Sequence, residues 1–474
     1  MSQFTSVAEA IGFFSQYLRN SMLSQAQHPF GDPHLYLDRA CYLYRLLGNP
    51  EQHQKVIHIA GTSGKGSTAQ MISLLLQNHG FTVGTFLSPH LFDYRERFQL
   101  NNQWIDEQAL LSYLNKIVPL IEKMEHSRIG RPSFFEINNA IAYQFFHDNK
   151  VDYVVLETGV GGLYDSTNTD TTADRLSVIT DIGYDHQNLL GMTLTSIAYQ
   201  KAGIIKLGGK VIALWGSEES NQVVEDIAFA KGAQLDWVRP LDRFVTTSVT
   251  ETGSLFDYQT NTGTLKDLEL GVLGEHQVRN ASTALTALYT VAKRDQWNVR
   301  EETVRETLKH TQEYIHAKVE RIILQTKADK IVAFLDMAHN PQKIAALNDC
   351  LQTIRPQQKF DFLFAAKANK EFTEMIDSIS SIANSITVTR PTYNEHSIDL
   401  PFKNALPSLI CQYVSEHHPH IKTQAISNPH QAYEALINTA QKPIVITGSS
   451  YLIMTLKDVL QRDNLQKLTD PAAV

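Results

Sequence analysis

Residues 55–69, KVIHIAGTSGKGSTA, constrain the fold of this chain more than any other stretch. A near-continuous apolar run ends in a glycine-rich turn. The turn passes directly into a helical pattern, STAQMISLLLQNHG, which stops on a glycine. Apolar residues without alternation suit a strand buried on both faces of a parallel sheet. The turn has the composition of a loop that closes backbone N–H groups around phosphate oxygens, with a helix N-terminus adding partial positive charge. Gly61, Gly64 and Gly66 allow the close approach, Lys65 would neutralise the terminal phosphates, and Ser67 or Thr68 would offer a hydroxyl to Mg²⁺. With Thr62 and Ser63 these residues form the candidate nucleotide site. The order is G-x-x-G-K-G-S-T rather than the commoner G-x-x-x-x-G-K-[ST]. The bland alternative is a strand-to-helix turn with no ligand.

The same alternation recurs along the chain. TVGTFLS, DYVVLETG, LSVITDIG and KVIALW read as further buried strands, separated by helical patterns, which predicts an α/β architecture. From Arg239 to Leu273 the composition turns to Thr, Val, Asp and Gly, as in FVTTSVTETGSLFDYQTNTG, and predicts short antiparallel strands. A helix is expected at about Gln277–Arg294. A second strand series follows: KIVAFLDMA, KFDFLFAA, SITVTRP and KPIVITG. The expected organisation is an ATP-binding unit over 1–315, with a small β-rich part at about 239–275, and a C-terminal unit over 316–474.

Bulk properties exclude several classes. A formal charge of −8 gives no general attraction to nucleic acid or anionic membranes. Three well-separated cysteines, Cys41, Cys350 and Cys411, make neither a disulfide framework nor a metal-ligand motif. The N-terminus lacks signal-peptide character and no apolar run approaches a bilayer span, so a cytoplasmic enzyme is the expectation.

Other candidate residues follow strands. Glu157 closes DYVVLE, at the carboxyl end where open α/β sheets bind ligands, and could hold Mg²⁺; a solvated strand-end acid is the competing reading. Asp185 and His186 close LSVITDIGYDH, where a hydrogen-bonded loop histidine is the ordinary expectation. Lys201, just before Gly203, reads by itself as a helix C-terminal cation. Asp336, His339 and Asn340 in LDMAHNP could meet a ribose or phosphate, against an Asx-type turn ended by Pro341.

Taken together, VIHIAGTSGKGST, LSPHL, FFEINNA, VVLETGVGG with DSTNT, ITDIGYDHQNLLGMTL, IAYQKAGIIK, LGEHQVRNASTAL, LDMAHNP and ITGSSYL resemble the folylpolyglutamate synthase and dihydrofolate synthase family, a branch of the Mur ligases, over nearly the full length. The resemblance implies a P-loop Mur-ligase-like central domain with a parallel sheet and a small β subregion, plus a smaller Rossmann-like C-terminal α/β domain. It implies an ATP-dependent amide ligase that activates a carboxylate as an acyl phosphate and couples it to L-glutamate. The acceptor would be a folate or a dihydropteroate-like acid, the protein a monomer.

By the same resemblance Gly61, Gly64, Lys65, Gly66 and Ser67 bind ATP and a first Mg²⁺. Glu157 is shared between two Mg²⁺ ions, and Ser88 and His186 complete the second site. Lys201 matches a lysine that is carbamylated, Asn280 contacts the nucleotide, and Asp336 and His339 bring the C-terminal contacts to ATP. Lys65, His186 and Lys201 are thus the candidate catalytic residues. Departures from the pattern are Leu163 for an arginine, Ser63 for an asparagine, Lys318 for the hinge arginine of the nucleotide site, Met337 for a glycine and Asn139 for a threonine. A lysine keeps the charge of an arginine without its planar fork. These departures leave two alternatives: a paralogue using another carboxylate or amino acid, and a nucleotide-binding protein without ligation. A cleft around Tyr164, Phe135 and His90 is where a pterin would have to enter.

Overall fold

The computed structural model describes residues 4–15, 17, 34–52, 54–169, 174–326, 329–368, 371–391 and 404–464. Three sheets organise them. The first joins β1 (Val56–Ala60), β2 (Val83–Phe86), β3 (Phe98–Leu100), β4 (Gln103–Trp104), β5 (Tyr153–Glu157), β6 (Leu176–Ile179), β7 (Lys210–Leu214) and β8 (Gln234–Val238) in the order β4-β3-β2-β5-β1-β6-β7-β8. All pairings from β2 to β8 are parallel, whereas β3 and β4 add an antiparallel edge.

The unbroken apolar runs have a direct cause. Val155 of β5 packs into one core with Ile57, Ile59 and the Lys65–Asn78 and Glu275–Asp295 helices. Its neighbours Val154 and Leu156 enter the opposite core with the Glu107–Glu125 and Phe134–Asp148 helices. Both faces of the strand are dry, so alternation has nothing to distinguish. The Phe134–Asp148 helix begins at a capping box in which Ser133 and Glu136 bond each other's backbone. Glu136 also accepts a buried fork from Arg39, with Nε to Oε2 at 3.0 Å and Nη2 to Oε1 at 2.9 Å.

The Thr/Val/Gly-rich segment forms the antiparallel meander β9 (Phe244–Thr250), β10 (Gly253–Gln259) and β11 (Thr264–Leu270). The third sheet comprises β12 (Lys318–Gln325), β13 (Lys330–Asp336), β14 (Phe360–Phe364), β15 (Ala383–Val388), β16 (Lys422–Ala425) and β17 (Ile444–Thr447), ordered β12-β13-β17-β14-β15-β16. Only β12 runs antiparallel to its neighbour. The meander reaches this half of the chain through Glu251 in the β9–β10 turn, whose Oε2 accepts from Arg321 Nε at 2.9 Å and Arg355 Nη2 at 3.0 Å.

In the first sheet β1 lies between β5 and β6, with β2 beyond β5 and β7 beyond β6. The chain therefore leaves β1 toward opposite sides, and the crevice outside the carboxyl ends of β1, β5 and β6 is a switch point where such sheets take ligands. The glycine-rich turn, Glu157 and Asp181 all lie there.

Candidate active site

The turn after β1 is built from contacts that only small residues permit. Gly64 has φ +86°, and a Cβ on it would lie 2.2 Å from Asn280 Oδ1. Asn280 is itself buried, with Nδ2 donating to Gln277 Oε1 at 3.0 Å, so its amide is aimed at the loop. Thr62 and Ser63 face the opposite way. Their N–H groups donate to Asp181 O at 2.7 and 3.2 Å, and the Thr62 hydroxyl donates to Gly183 O at 2.8 Å. These two residues anchor the loop to the segment after β6. The N–H groups at the start of the Lys65–Asn78 helix have no acceptor within the helix and provide its anion-binding end.

Lys65 and Lys201 converge on this turn. Lys65 Nζ donates to Gly61 O at 3.1 Å and Lys201 Nζ to the same oxygen at 2.8 Å. Lys201 stands in the last turn of the Leu194–Ala202 helix and is 3 % exposed. Burial, and then the charge of Lys65, push its ammonium well below the usual lysine range. It is therefore not the solvated helix-end cation that its position in the chain suggested.

Glu157 lies on the other side of the loop, 5 % exposed. A Cβ on Gly66 would come within 3.5 Å of its Oε2, and Ser88 N–H donates to that oxygen at 2.9 Å. Burial raises its carboxyl above the ordinary value against the pull of Lys65, the Ser88 N–H, Lys318 and Lys343. Ser67, the residue after Gly66, and Ser88, whose N–H bonds this carboxylate, are the hydroxyl-bearing residues of the expected set next to it in the structure. Such a set suits a hard cation that fills its shell with phosphate oxygens and water, as Mg²⁺ does. Among the described residues no three His, Cys, Asp or Glu side chains gather into a metal site by themselves. His186 sits at the rim, at φ +51°, its N–H held by Asp185 Oδ1 at 2.9 Å and its ring half-exposed.

The third sheet closes the crevice from above. Lys318 and Asp336 are register partners across β12 and β13. Asp336 accepts from Val319 N at 2.9 Å and Ala338 N at 2.7 Å, the second bond being the Asx-type turn expected from the segment. Burial raises the Asp336 carboxyl and lowers the Lys318 ammonium, each opposed by the other's charge. His339 Nδ1 meets Met337 O at 2.8 Å, while Nε2 lies 4.0 Å from Asp185 Oδ2 and 3.3 Å from Lys343 Nζ.

The loop Asp181–Asp185 links the two sides. Its backbone holds Thr62 and Ser63, as described. Its side chains reach the Pro341–Ile354 helix: Gln342 Nε2 donates to Asp181 Oδ2 at 2.5 Å, and Asn340 Nδ2 to Asp185 Oδ2 at 3.2 Å. Gly183 lies directly under the Gln342 amide, where a Cβ would be 2.1 Å from Oε1. Asp181, Gln342 and Lys343 were not singled out from the sequence. The only available signal was their position, one at a strand end and two in the first turn of a helix facing a ligand crevice.

Leu163 packs against the backbone of Gly203, and its N–H donates to Gln200 O at 2.7 Å, which ties the GGLYDSTN segment to the Lys201 helix. In that segment Asp165 accepts from Gly159 N, Val160 N, Thr167 N and Thr167 Oγ1. Phe135 lies over Gly159, Tyr164 stands edge-on to His34, and His90 accepts from Arg97 Nε at 3.0 Å. His90 also borders a cleft of about 640 Å³ between the 90–95 loop and the C-terminal residues Tyr451, Met454 and Lys457.

The Mur ligase middle domain matches residues 59–288, and the dihydrofolate synthetase C-terminal domain matches residues 317–461. The chain is 32% identical over 351 residues to the dihydrofolate synthase/folylpolyglutamate synthase of Bacillus subtilis, covering 74% of this chain and 80% of that one. It is 30% identical over 428 residues to the folylpolyglutamate synthase of Lacticaseibacillus casei, covering 89% and 94%. A solved FPGS–AMPPCP–folate complex superposes with a TM-score of 0.75 at 28% identity, covering 91% of this chain and 95% of that one.

Proposed function

Because the chain belongs to the folylpolyglutamate synthase/dihydrofolate synthase family of Mur ligases, we propose that it is an ATP-dependent ligase joining the carboxylate of a folate to the amine of L-glutamate. The observation that carries this reading is the placing of Glu157 beside Gly66, with Lys65 on the same loop and the Asp336–Asn340 segment tied to Asp185 at the crevice. A nucleotide held there has its phosphates between Lys65 and a carboxylate able to take a metal.

The chemistry explains the need for such a site. A bare carboxylate offers an amine no leaving group. Its oxygen attacks the γ-phosphorus, the bond to the β,γ-bridging oxygen breaks, and ADP departs with the electron pair. The amine then attacks the acyl phosphate carbon, loses a proton and expels phosphate. The first step brings anion to anion, so catalysis rests on positioning and charge compensation. Lys65 offsets charge at the loop, while Asn280 and the helix N-terminus fix the nucleotide around Gly61–Thr68. Lys318, Asp336 and His339 hold it from the C-terminal side.

Two Mg²⁺ ions complete the proposal, with Ser67, Ser88, Glu157 and His186 as their protein ligands; bound there, Mg²⁺ supplies positive charge to the transferring phosphoryl group. Lys201 is proposed to carry a carbamate. Its burial beside Lys65 supports this, since CO₂ reacts with a neutral amine and releases a proton. The family's folate substrates support a flat aromatic acceptor, with dihydropteroate as a second one, entering past His90, Phe135 and Tyr164. The change of sheet between β11 and β12 supports a division into units 1–315 and 316–474. We also propose a monomer working in the cytoplasm. Among the described residues no helix is long and apolar enough to cross a membrane.

The test is turnover. Purified protein with ATP, Mg²⁺, glutamate and tetrahydrofolate should release ADP and phosphate only when acceptor and glutamate are both present. Release that ignores either one would remove the assignment.

A further inference from the structure

We infer that the cavity at the amino ends of β7 and β8 is a second ligand site, suited to a small organic phosphate. The cavity measures about 260 Å³ and is walled by three parts of the chain: the first residues of β7 and β8, the meander, and the Glu275–Asp295 helix. β6, β7 and β8 run parallel to β1, so their amino ends lie at the opposite end of the sheet from the glycine-rich turn. Lys293 at the cavity and Asn280 at the turn share one helix, on which they stand about 20 Å apart. A molecule bound here is therefore a second one, separate from the nucleotide.

The charge of the lining points to an anion. Lys210, Arg243 and Lys293 face a single carboxylate, Asp236. Arg243 Nη2 donates to Asp236 Oδ1 at 2.7 Å, which matches that pair. Among the described residues neither Lys210 nor Lys293 makes an ion pair. Two positive charges are thus left in a concave site, on a chain whose formal net charge is −8. The hydroxyls of the wall are already used. Thr286 Oγ1 donates to Ser282 O, Thr290 Oγ1 to Thr286 O and Thr260 Oγ1 to Gly263 O, each at 2.8 Å. With the Thr286 proton so engaged, the buried Tyr258 Oη is the donor in its 2.9 Å bond to Thr286 Oγ1.

What the cavity offers a ligand is positive charge from two separate elements and an aromatic wall. The rings of Tyr258 and Tyr289 stack 6.2 Å apart with 17° between their planes. The chemistry selects phosphate over carboxylate. A carboxylate carries one charge on two coplanar oxygens, the match of a guanidinium fork, and Arg243 already turns its guanidinium to Asp236. A phosphate monoester carries two charges on three oxygens around a tetrahedral phosphorus. Ammonium groups on different elements meet it as point charges, with no shared plane required. The tyrosine wall suits a flat group on the ester oxygen.

The probe is phenyl phosphate, titrated calorimetrically into the full-length protein with Mg²⁺ and a saturating β,γ-methylene ATP analogue, which keeps the glycine-rich loop occupied. Lys210→Met and Lys293→Met should each weaken its binding about tenfold, and arginine at either position should recover most of the loss. Lys65→Met should leave it within about twofold, and both methionine variants should turn over ATP, folate and glutamate within about twofold of wild type when no probe is present. Benzoate, with the same ring and a carboxylate, should bind more weakly than phenyl phosphate. No binding to the wild type, binding that survives both methionine changes, binding lost in Lys65→Met instead, or benzoate bound as tightly would overturn the inference. Protein that takes up no ATP analogue would overturn the ligase reading. Phenyl phosphate binding that still depended on Lys210 and Lys293 would then leave this inference standing by itself.

Discussion

Lys65 and Lys201 come from two different helices and donate to one oxygen, the Gly61 carbonyl, at 3.1 and 2.8 Å. Two ammonium groups on one acceptor repel, and they differ in burial. Lys201 is the deeper, and its pKa falls well below the usual range for that reason first and for Lys65 second. A lysine amine so lowered is the form that would react with CO₂, as the proposed carbamate requires.

This arrangement predicts a carbamate that depends on both residues. With ¹³CO₂, the wild-type protein should show a carbonyl ¹³C signal at near-neutral pH that is absent in Lys201→Ala and weaker in Lys65→Met, where Lys201 keeps its proton more often. Lys201→Ala should lose about a hundredfold or more in kcat, and short carboxylates such as acetate should restore part of it by taking the place of the missing anion. Full activity in the alanine variant would rule the carbamate out.

Glu157 should make metal–nucleotide binding pH-dependent. Its carboxyl is raised above 4.5, first by burial. With no cation bound, this raised value favours the protonated form, whose contribution to stability is complete below the unfolded pKa and fades as pH rises through the folded one. A bound cation needs the ionised form. Binding of MgATP should therefore release protons in increasing number as pH falls from neutral toward the raised value, with weakening affinity. Calorimetry in buffers of different ionisation enthalpy measures the count, and Glu157→Gln should abolish the pH-dependent part.

The Arg39–Glu136 pair is a stability prediction. Both partners are buried and bonded through two guanidinium nitrogens. Removing one leaves an uncompensated charge, so Arg39→Met should cost about 3–5 kcal/mol in denaturant unfolding. Arg39→Met with Glu136→Leu should recover a large share of that loss. A double variant no more stable than the single one would argue against the pair being the cause.

Gly183→Ala tests the link between the halves. The atoms nearest the added Cβ are the far end of Gln342, which can swing away, so the fold should lose no more than about 1 kcal/mol. The displaced amide would no longer reach Asp181. Gly183→Ala and Gln342→Ala should then lower kcat to a similar extent, and the double variant should be no worse than either. Additive losses would show that the two changes act separately.

The elements that were legible in the sequence owe it to burial on both faces. β1, β5 and β6 are short apolar runs with a turn at each carboxyl end, and the meander β9–β11 announces itself through Thr, Val and Gly. β12 was not anticipated because KVERIILQ is an edge strand carrying charge, and its partner β13 supplied the apolar signal. The loop residues Gly61–Thr68, Glu157 and Lys201 could be proposed because each closes or opens an element. Nothing local marks Gln342 as a partner of Asp181, since their bond spans 161 positions of chain. The inward use of Thr62 and Ser63 was equally hidden, as it depends on a carbonyl brought up by another strand.

The grip of Arg321 and Arg355 on Glu251 bears on how the molecule can move. The two halves are joined by the chain just before Lys318, by this ion cluster at the tip of the meander, and by the Gln342–Asp181 and Asn340–Asp185 hydrogen bonds at the crevice. A body attached to another at one point has three rotational freedoms, one attached at two points keeps a single axis, and one attached at three or more that are not in line keeps none. With all of these contacts made, Asp336 and His339 are therefore fixed in place above the loop, and any opening has to break the bonds to Asp181 and Asp185 first.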